Sequence, residues 1–243
     1  MRVPTEAVVL AGGAGTRLRS VVSDVPKPMA SVAGRPFLSY VLDLLCLRGI
    51  SRIVLSVGYK SDAIRSYFGD RYQGLDLLYS VEDSPLGTGG AIALASTRVT
   101  EERLFVVNGD SFIDPPFEAM ANIQAESGAE IVMAVRHLQD CGRYGRVRMS
   151  QNTITGFEEK TGNDAGYVNA GVYLINTGFA RSLDLGRAFS FESDVLERRC
   201  REVLMLAVPV ESYFIDIGIP DDYLRAQEEL PGVMSRIKGT CIG

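Results

Sequence analysis

Histidine is nearly missing from this chain: His137 is the only one among 243 residues, and tryptophan does not occur. Imidazole-based triads and histidine-rich metal centres have almost no material here. Four cysteines, Cys46, Cys141, Cys200 and Cys241, stand far apart, and only Cys141 has another soft ligand close by, His137 four positions earlier. Two ligands fall short of the four that a structural zinc takes. A chain of this length folds without disulfide staples, so Cys46 and Cys200 read as small apolar residues of helical segments and a reducing cytoplasm is the expected compartment. No apolar run approaches the ~20 residues that span a bilayer. The run from Ala7 to Ala11 that follows Glu6 is also too brief for a signal sequence. No membrane association is expected. Basic residues are outnumbered 25 to 30, for a net charge of −5. The outer surface repels phosphate backbones, so nucleic acid is excluded as a partner. No Pro/Gly/Ser-rich linker divides the sequence, which predicts a single domain over residues 1–230 and a loosely held tail over 231–243.

What is present is an ordinary soluble composition, 46% hydrophobic and 23% charged, enough to bury a substantial core. Short apolar runs at Ala7–Leu10, Ile53–Val57, Leu75–Tyr79, Leu104–Val107 and Ile131–Val135 read as strands covered on both faces. Between them Phe37, Tyr40, Val41, Leu44 and Leu45 follow helical spacing, opened by Pro36 and closed at Gly49. Ser61 is placed to cap a helix through Phe68, and a further helix is expected over Phe117–Ser127. Repeated β-α-β units predict a mainly parallel sheet with right-handed crossovers. After Gly142 the segments shorten and alternate: Arg146–Met149, Thr153–Glu158, Tyr167–Ile175, Leu204–Val208 and Tyr213–Ile217. Helices are expected over Phe191–Cys200 and Pro220–Glu229, with Asp221 and Asp222 complementing the dipole and Pro231 as a stop. Apolar residues of this half serve equally as core or as a homo-oligomer interface.

The first strand leads into Leu10-Ala-Gly-Gly-Ala-Gly-Thr-Arg17, a glycine-rich turn at a strand's carboxyl end, where open α/β sheets bind ligands. Backbone N–H groups in such a turn approach phosphate oxygens unobstructed by Cβ atoms. It is neither a P-loop, since Thr16-Arg17 follows Gly15, nor a dinucleotide fingerprint, since Leu18 stands where the third glycine belongs. Pro26-Lys27-Pro28 stiffens a lysine on both sides, and Pro85-Leu-Gly-Thr-Gly-Gly-Ala91 opens a helix with a second glycine turn. Asn108-Gly109-Asp110 and Asp216-Ile-Gly218 end two strands with carboxylates, the hard oxygens that suit Mg²⁺ alongside substrate phosphates. Singly, each motif also reads as a tight turn, a solvated lysine or a turn-forming aspartate.

In order, Gly12-Gly13-x-Gly15-Thr16-Arg17-Leu18, Pro26-Lys27-Pro28, Gly87-Thr-Gly-Gly90, Gly109-Asp110, Glu159-Lys160, Asn169-Ala-Gly171 and Asp216-Ile-Gly218 resemble the sugar-1-phosphate nucleotidyltransferases along nearly the whole chain. The resemblance implies a Rossmann-like α/β/α sandwich with a mixed central sheet, two substrates, an NTP and a sugar 1-phosphate, and Mg²⁺ as cofactor. It also implies residue roles. Leu10, Ala11, Gly12, Gly13, Gly15, Thr16, Pro85, Gly87 and Thr88 would bind the nucleotide, and Arg17 would meet the departing phosphates. Lys27 would neutralise the α-phosphate, and Asp110 and Asp216 would hold the metal. Lys160 would take the sugar's phosphate, with Glu159, Asn169 and the backbone of Gly145 on its hydroxyls. Such a reaction needs no general base, because a phosphate monoester is already largely dianionic near neutral pH.

Ser20-Val-Val-x-Asp24, Glu82-Asp-Ser-Pro-Leu-Gly-Thr-Gly-Gly90, Arg143-Tyr-Gly145 and Phe189-Ser-Phe-Glu192 are similar to the branch that joins GTP to a heptose 1-phosphate. Mannose 1-phosphate guanylyl transfer is the alternative, followed by uridylyl or thymidylyl transfer to a hexose 1-phosphate. Glu82 favours GTP on chemical grounds: a carboxylate accepts from guanine N1–H and N2–H₂ but finds no donors on the O4 and O2 of uracil. Two rivals come from other classes. A metal-dependent glycosyltransferase would carry Asp-x-Asp, whereas Asp110 is followed by Ser-Phe-Ile-Asp114. A non-catalytic sugar-nucleotide sensor would keep the pocket without turnover.

Overall fold

In the computed structural model, residues 2–13, 25–158, 164–183 and 187–241 are described. The strands are β1 (Glu6–Leu10), β2 (Ser31–Val32), β3 (Arg35–Pro36), β4 (Arg52–Val57), β5 (Arg71–Tyr72), β6 (Leu75–Val81), β7 (Arg103–Asn108), β8 (Ser111–Ile113), β9 (Ile131–Leu138), β10 (Arg146–Ser150), β11 (Thr153–Glu158), β12 (Gly166–Asn176), β13 (Met205–Pro209) and β14 (Phe214–Asp216). The helices are α1 (Phe37–Leu47), α2 (Ser61–Phe68), α3 (Gly87–Ser96), α4 (Phe117–Ser127), α5 (Thr177–Ser182) and α6 (Pro220–Cys241). Among the described residues no helix is long and apolar enough to cross a membrane.

Ten strands form one mixed sheet in the order β10-β11-β13-β9-β12-β7-β1-β4-β6-β5. The block β7-β1-β4-β6 is parallel throughout, and β12 then runs antiparallel to both β7 and β9. Alternation along β1 shows why the sheet is covered twice. Ala7 and Val9 pack with Phe37, Leu42 and Met120 on one face, while Val8 packs with Ile92, Phe179 and Phe191 on the other. This is the α/β/α sandwich, and it explains why the parallel strands are almost continuously apolar. In register, Leu10 lies beside Ser56 of β4 and Asn108 of β7, so the three carboxyl ends finish at one level.

At the opposite end of β1, the 5%-exposed Glu6 accepts from the backbone N–H groups of Thr100 and Glu101, from the Thr100 hydroxyl and from Arg52. Burial alone would raise its pKa, but these donors outweigh burial and hold it below the ordinary glutamate value of 4.5. A lowered carboxylate pKa contributes stability above the unfolded value, and that contribution is lost as pH falls through the folded one. Glu6→Gln should therefore cost about 2 kcal/mol at pH 7. Urea unfolding should show the difference from wild type shrinking as the pH is taken below 4.5.

Three expectations need correction. Ser61 opens α2 but does not cap it: Lys60, at φ +54°, occupies the cap position, and no side chain there bonds to the N–H groups of the first turn. The segment from Phe191 coils as a π-helix over Phe191–Glu197, with Ser190 accepting from the Ser193 N–H and Asp194 accepting from the Ser190 N–H. Pro231 does not stop α6, which continues to Cys241, so residues 233–241 are helical and not a loose tail. An interior proline costs about 3 kcal/mol. Leu230, Val233 and Met234 are each at most 5% exposed on the core, and Lys238 reaches Asp43 at 3.2 Å. Burial of three such side chains, at about 1.5–3 kcal/mol each, exceeds the proline penalty.

Candidate active site

The level carboxyl ends of β1, β4 and β7 open into a cavity of about 660 Å³, lined by Leu10, Gly12, Gly13, Glu82, Pro85, Gly87, Thr88 and Asp110 among the expected residues. Ser56, Gly58, Tyr59, Asp83, Ser84, Ala91 and Asn108 complete the lining. Asp83, Ser84, Ala91 and Asn108 stand within the quoted motifs without a role of their own, whereas Ser56, Gly58 and Tyr59 enter the site only through the fold. Ala11 behaves differently. It is fully buried, and its N–H donates to the Ser56 carbonyl at 2.8 Å as a continuation of the sheet ladder, so that N–H is not free for a phosphate. Glu82 stands at the end of β6 with Oε2 accepting from the Leu86 N–H at 2.9 Å and Oε1 lying 3.4 Å from the Ser56 hydroxyl.

The glycine turn at Gly87 is gripped from behind by residues 187–191. Phe189 N–H donates to Leu86 O, and Phe189 O accepts from Gly89 N–H at 3.0 Å. A Cβ on Gly87, whose φ is +70°, would come within 2.4 Å of that same carbonyl, so the turn admits glycine only. The Thr88 hydroxyl donates to Glu192 at 2.6 Å and accepts from the Phe191 N–H, which turns it toward the π-helix, although the residue is part of the cavity lining.

Asp110 and Asp216 are brought together by pairing. Strands β8 and β14 are antiparallel with Ser111 opposite Asp216, and Ile217 N–H donates to Asp110 O. Gly109 permits the approach to β1, since its N–H donates to Leu10 O and a Cβ there would sit 2.7 Å from that oxygen. Between the two carboxylates lies Lys27, with Nζ 2.7 Å from Asp110 and 3.1 Å from Asp216. The sequence reading of a lysine stiffened by flanking prolines matches its setting: Lys27 begins a short 3₁₀ turn, Pro26 precedes it in extended geometry and Pro28 is buried. Burial alone would lower the lysine pKa, but Asp110 and Asp216 outweigh it and raise it. Asp216 is pushed up by burial and by the like charge of Asp110, against the opposing pull of Lys27.

Two carboxylates against one ammonium leave a formal charge of −1 at a site where Lys27 is 13% exposed and Asp216 24%. Hard oxygens with surplus negative charge suit a divalent cation that completes its shell with water and phosphate oxygens. Asp216 itself lines a second cavity, about 520 Å³, together with Arg143, Tyr144, Phe214, Asp222 and Arg225. Gly145 follows Tyr144 at its edge. Asn169 lies on β12 and uses its amide internally, donating to Tyr173 Oη at 2.6 Å and accepting from Gly171 N–H. Gly15, Thr16, Arg17, Glu159 and Lys160 lie outside the described residues.

This sheet, with its glycine-lined cavity beside a lysine-bridged aspartate pair, places the chain in the nucleotidyl transferase family, whose model matches residues 6–232. Members of that family generally use a divalent metal. The chain is 42% identical to a D-glycero-alpha-D-manno-heptose 1-phosphate guanylyltransferase of Aneurinibacillus thermoaerophilus, over 93% of this chain and 98% of that one. It is 36% identical to the enzyme of the same name from Campylobacter jejuni, over 90% and 96%. The crystal structure of HddC from Yersinia pseudotuberculosis complexed with GMP-PN superposes with a TM-score of 0.81 at 33% identity, covering 93% of this chain and all of that one.

Proposed function

We propose that the chain transfers a guanylyl group from GTP to D-glycero-α-D-manno-heptose 1-phosphate, releasing pyrophosphate. The observation that carries the reaction class is Lys27, fixed between Asp110 and Asp216, with one aspartate in the wall of each cavity. That arrangement suits two anionic substrates meeting at a shared centre. Likeness to heptose 1-phosphate guanylyltransferases over nearly their full lengths supports the choice of sugar and base.

The sugar phosphate needs no deprotonation, since its second pKa is about 6. Its oxygen forms a bond to the α-phosphorus while the bond from that phosphorus to the β-bridging oxygen breaks, and pyrophosphate leaves with the electron pair. The chain's task is positioning and charge neutralisation. The backbone of Gly12 and Gly13 receives the nucleotide, and the Lys27 ammonium offsets charge that develops at the α-phosphate. Asp110 and Asp216 would hold Mg²⁺, which when bound withdraws charge from the phosphate oxygens. Arg17 on the leaving phosphates, Lys160 on the sugar phosphate, and Glu159, Asn169 and Gly145 on the sugar are the assignments that the family resemblance supplies.

Glu82 is oriented in the cavity by Leu86 N–H, and its oxygens retain lone pairs for the N1–H and N2–H₂ edge of guanine. Glu82→Gln keeps an acceptor for Leu86 but presents an amide to the base. The ratio of kcat/KM for GTP over UTP should fall about tenfold or more. An unchanged ratio removes Glu82 from base recognition.

The whole reading is tested by following pyrophosphate release with four NTPs against heptose, mannose, glucose and N-acetylhexosamine 1-phosphates. GTP with the heptose phosphate should lead by more than severalfold. Mannose 1-phosphate in the lead would move the assignment to that branch, and tight nucleotide binding without release would make the chain a sensor.

A further inference from the structure

The second cavity holds polar groups that the transfer reaction does not use. Asp222, 8% exposed, sits in the first turn of α6 and accepts from Arg143 and, at 2.9 Å, from Arg225. Arg225 also reaches Glu229 at 3.4 Å. Two guanidiniums are thus matched by two carboxylates, and Asp140 adds a further acid to the lining. No surplus positive charge is left for an anion, so the natural occupant is an uncharged group.

The walls narrow the choice. Tyr144 and Phe214 pack with ring centroids 5.9 Å apart, and the Arg143 guanidinium lies 5.3 Å from the Tyr144 ring centre. Only part of its five-donor fork is engaged by Asp222. Aromatic faces beside N–H donors fit a short polyol, whose C–H groups lie on the rings while its hydroxyl oxygens accept from the fork. Arg143 also shares a cavity wall with Asp216 of the reaction centre. A sugar tethered there by its phosphate can reach Arg143 through its exocyclic carbons. We infer that Arg143, positioned by the buried Asp222, binds the exocyclic hydroxyls of the sugar 1-phosphate and distinguishes a seven-carbon sugar from a hexose. This rests on the heptose reading given above and names the residue that enforces it.

The test compares kcat/KM for heptose 1-phosphate and mannose 1-phosphate at saturating GTP in wild type and Arg143→Ala. Arg143 is 38% exposed and Asp222 keeps Arg225 as a partner, so the variant leaves no unpaired buried charge; a thermal scan confirms folding. The heptose-over-mannose ratio should fall about 10- to 100-fold, the range for a hydrogen bond from a charged donor. Equal losses on both sugars, or a ratio unchanged from wild type, would overturn the role of Arg143 while leaving the heptose reading in place. A wild-type enzyme without preference for the heptose would overturn both.

Discussion

Lys27→Met should lower pyrophosphate release about a thousandfold and destabilise the unliganded fold as well. Methionine keeps much of the length and apolar character of the lysine stem, so the change removes chiefly the ammonium. That leaves Asp110 and Asp216 facing each other across the space where Nζ stood 2.7 and 3.1 Å away. Breaking a fully buried pair by deleting one partner costs about 3–5 kcal/mol. Asp110 is 35% exposed and Asp216 24%, so solvent screening reduces the expected loss to about 2 kcal/mol. Urea unfolding without substrates measures it. Millimolar Mg²⁺ alone should narrow the gap to wild type, because a divalent ion replaces the missing charge between the carboxylates. A rate loss under tenfold would take Lys27 out of the reaction, and an unchanged stability would mean that the aspartates do not depend on it for compensation.

Much of this centre was legible in the sequence because its parts sit at the ends of strongly patterned elements. Apolar runs marked β1, β4, β6, β7 and β9, and a glycine-associated aspartate after β7 is visible without coordinates. Other parts are matters of register. Ser56 and Asn108 join the cavity because they lie opposite Leu10 in the parallel ladders, and one chain's composition does not encode which strands are neighbours. Asp222 shows a different limit. As an acid in the first turn of α6 it satisfies the helix dipole, which is a complete local reason for its presence. Its bond to Arg143, 79 residues earlier, appears only once the chain is folded. Pro231 misled for the same reason: the local rule ends a helix there, but Val233 and Met234 bury against the core and carry α6 through it. The π-helix at Phe191 escaped because the apolar pattern resembles that of an ordinary helix.

Asp216→Asn should also reduce turnover about a thousandfold, through loss of a metal-holding carboxylate, yet its effect on stability should have the opposite sign. The cluster carries one negative charge too many in the absence of substrate, and burial and the charge of Asp110 disfavour the ionised form of Asp216. Asparagine preserves the shape and an oxygen that can accept from Lys27, while Asp110 remains as a full counter-charge at 2.7 Å. Removing the surplus charge therefore relieves a repulsion without orphaning the ammonium. The unliganded variant should unfold at the same temperature as wild type or higher, the pattern of a residue held for function at a cost in stability. Thermal scans with GTP and Mg²⁺ should bring wild type above the variant, since wild type gains stability from the ligands and the variant gains little. A loss of unliganded stability as large as that from Lys27→Met would instead make Asp216 a structural partner of the lysine, and would count against the view that the pair waits for a second cation.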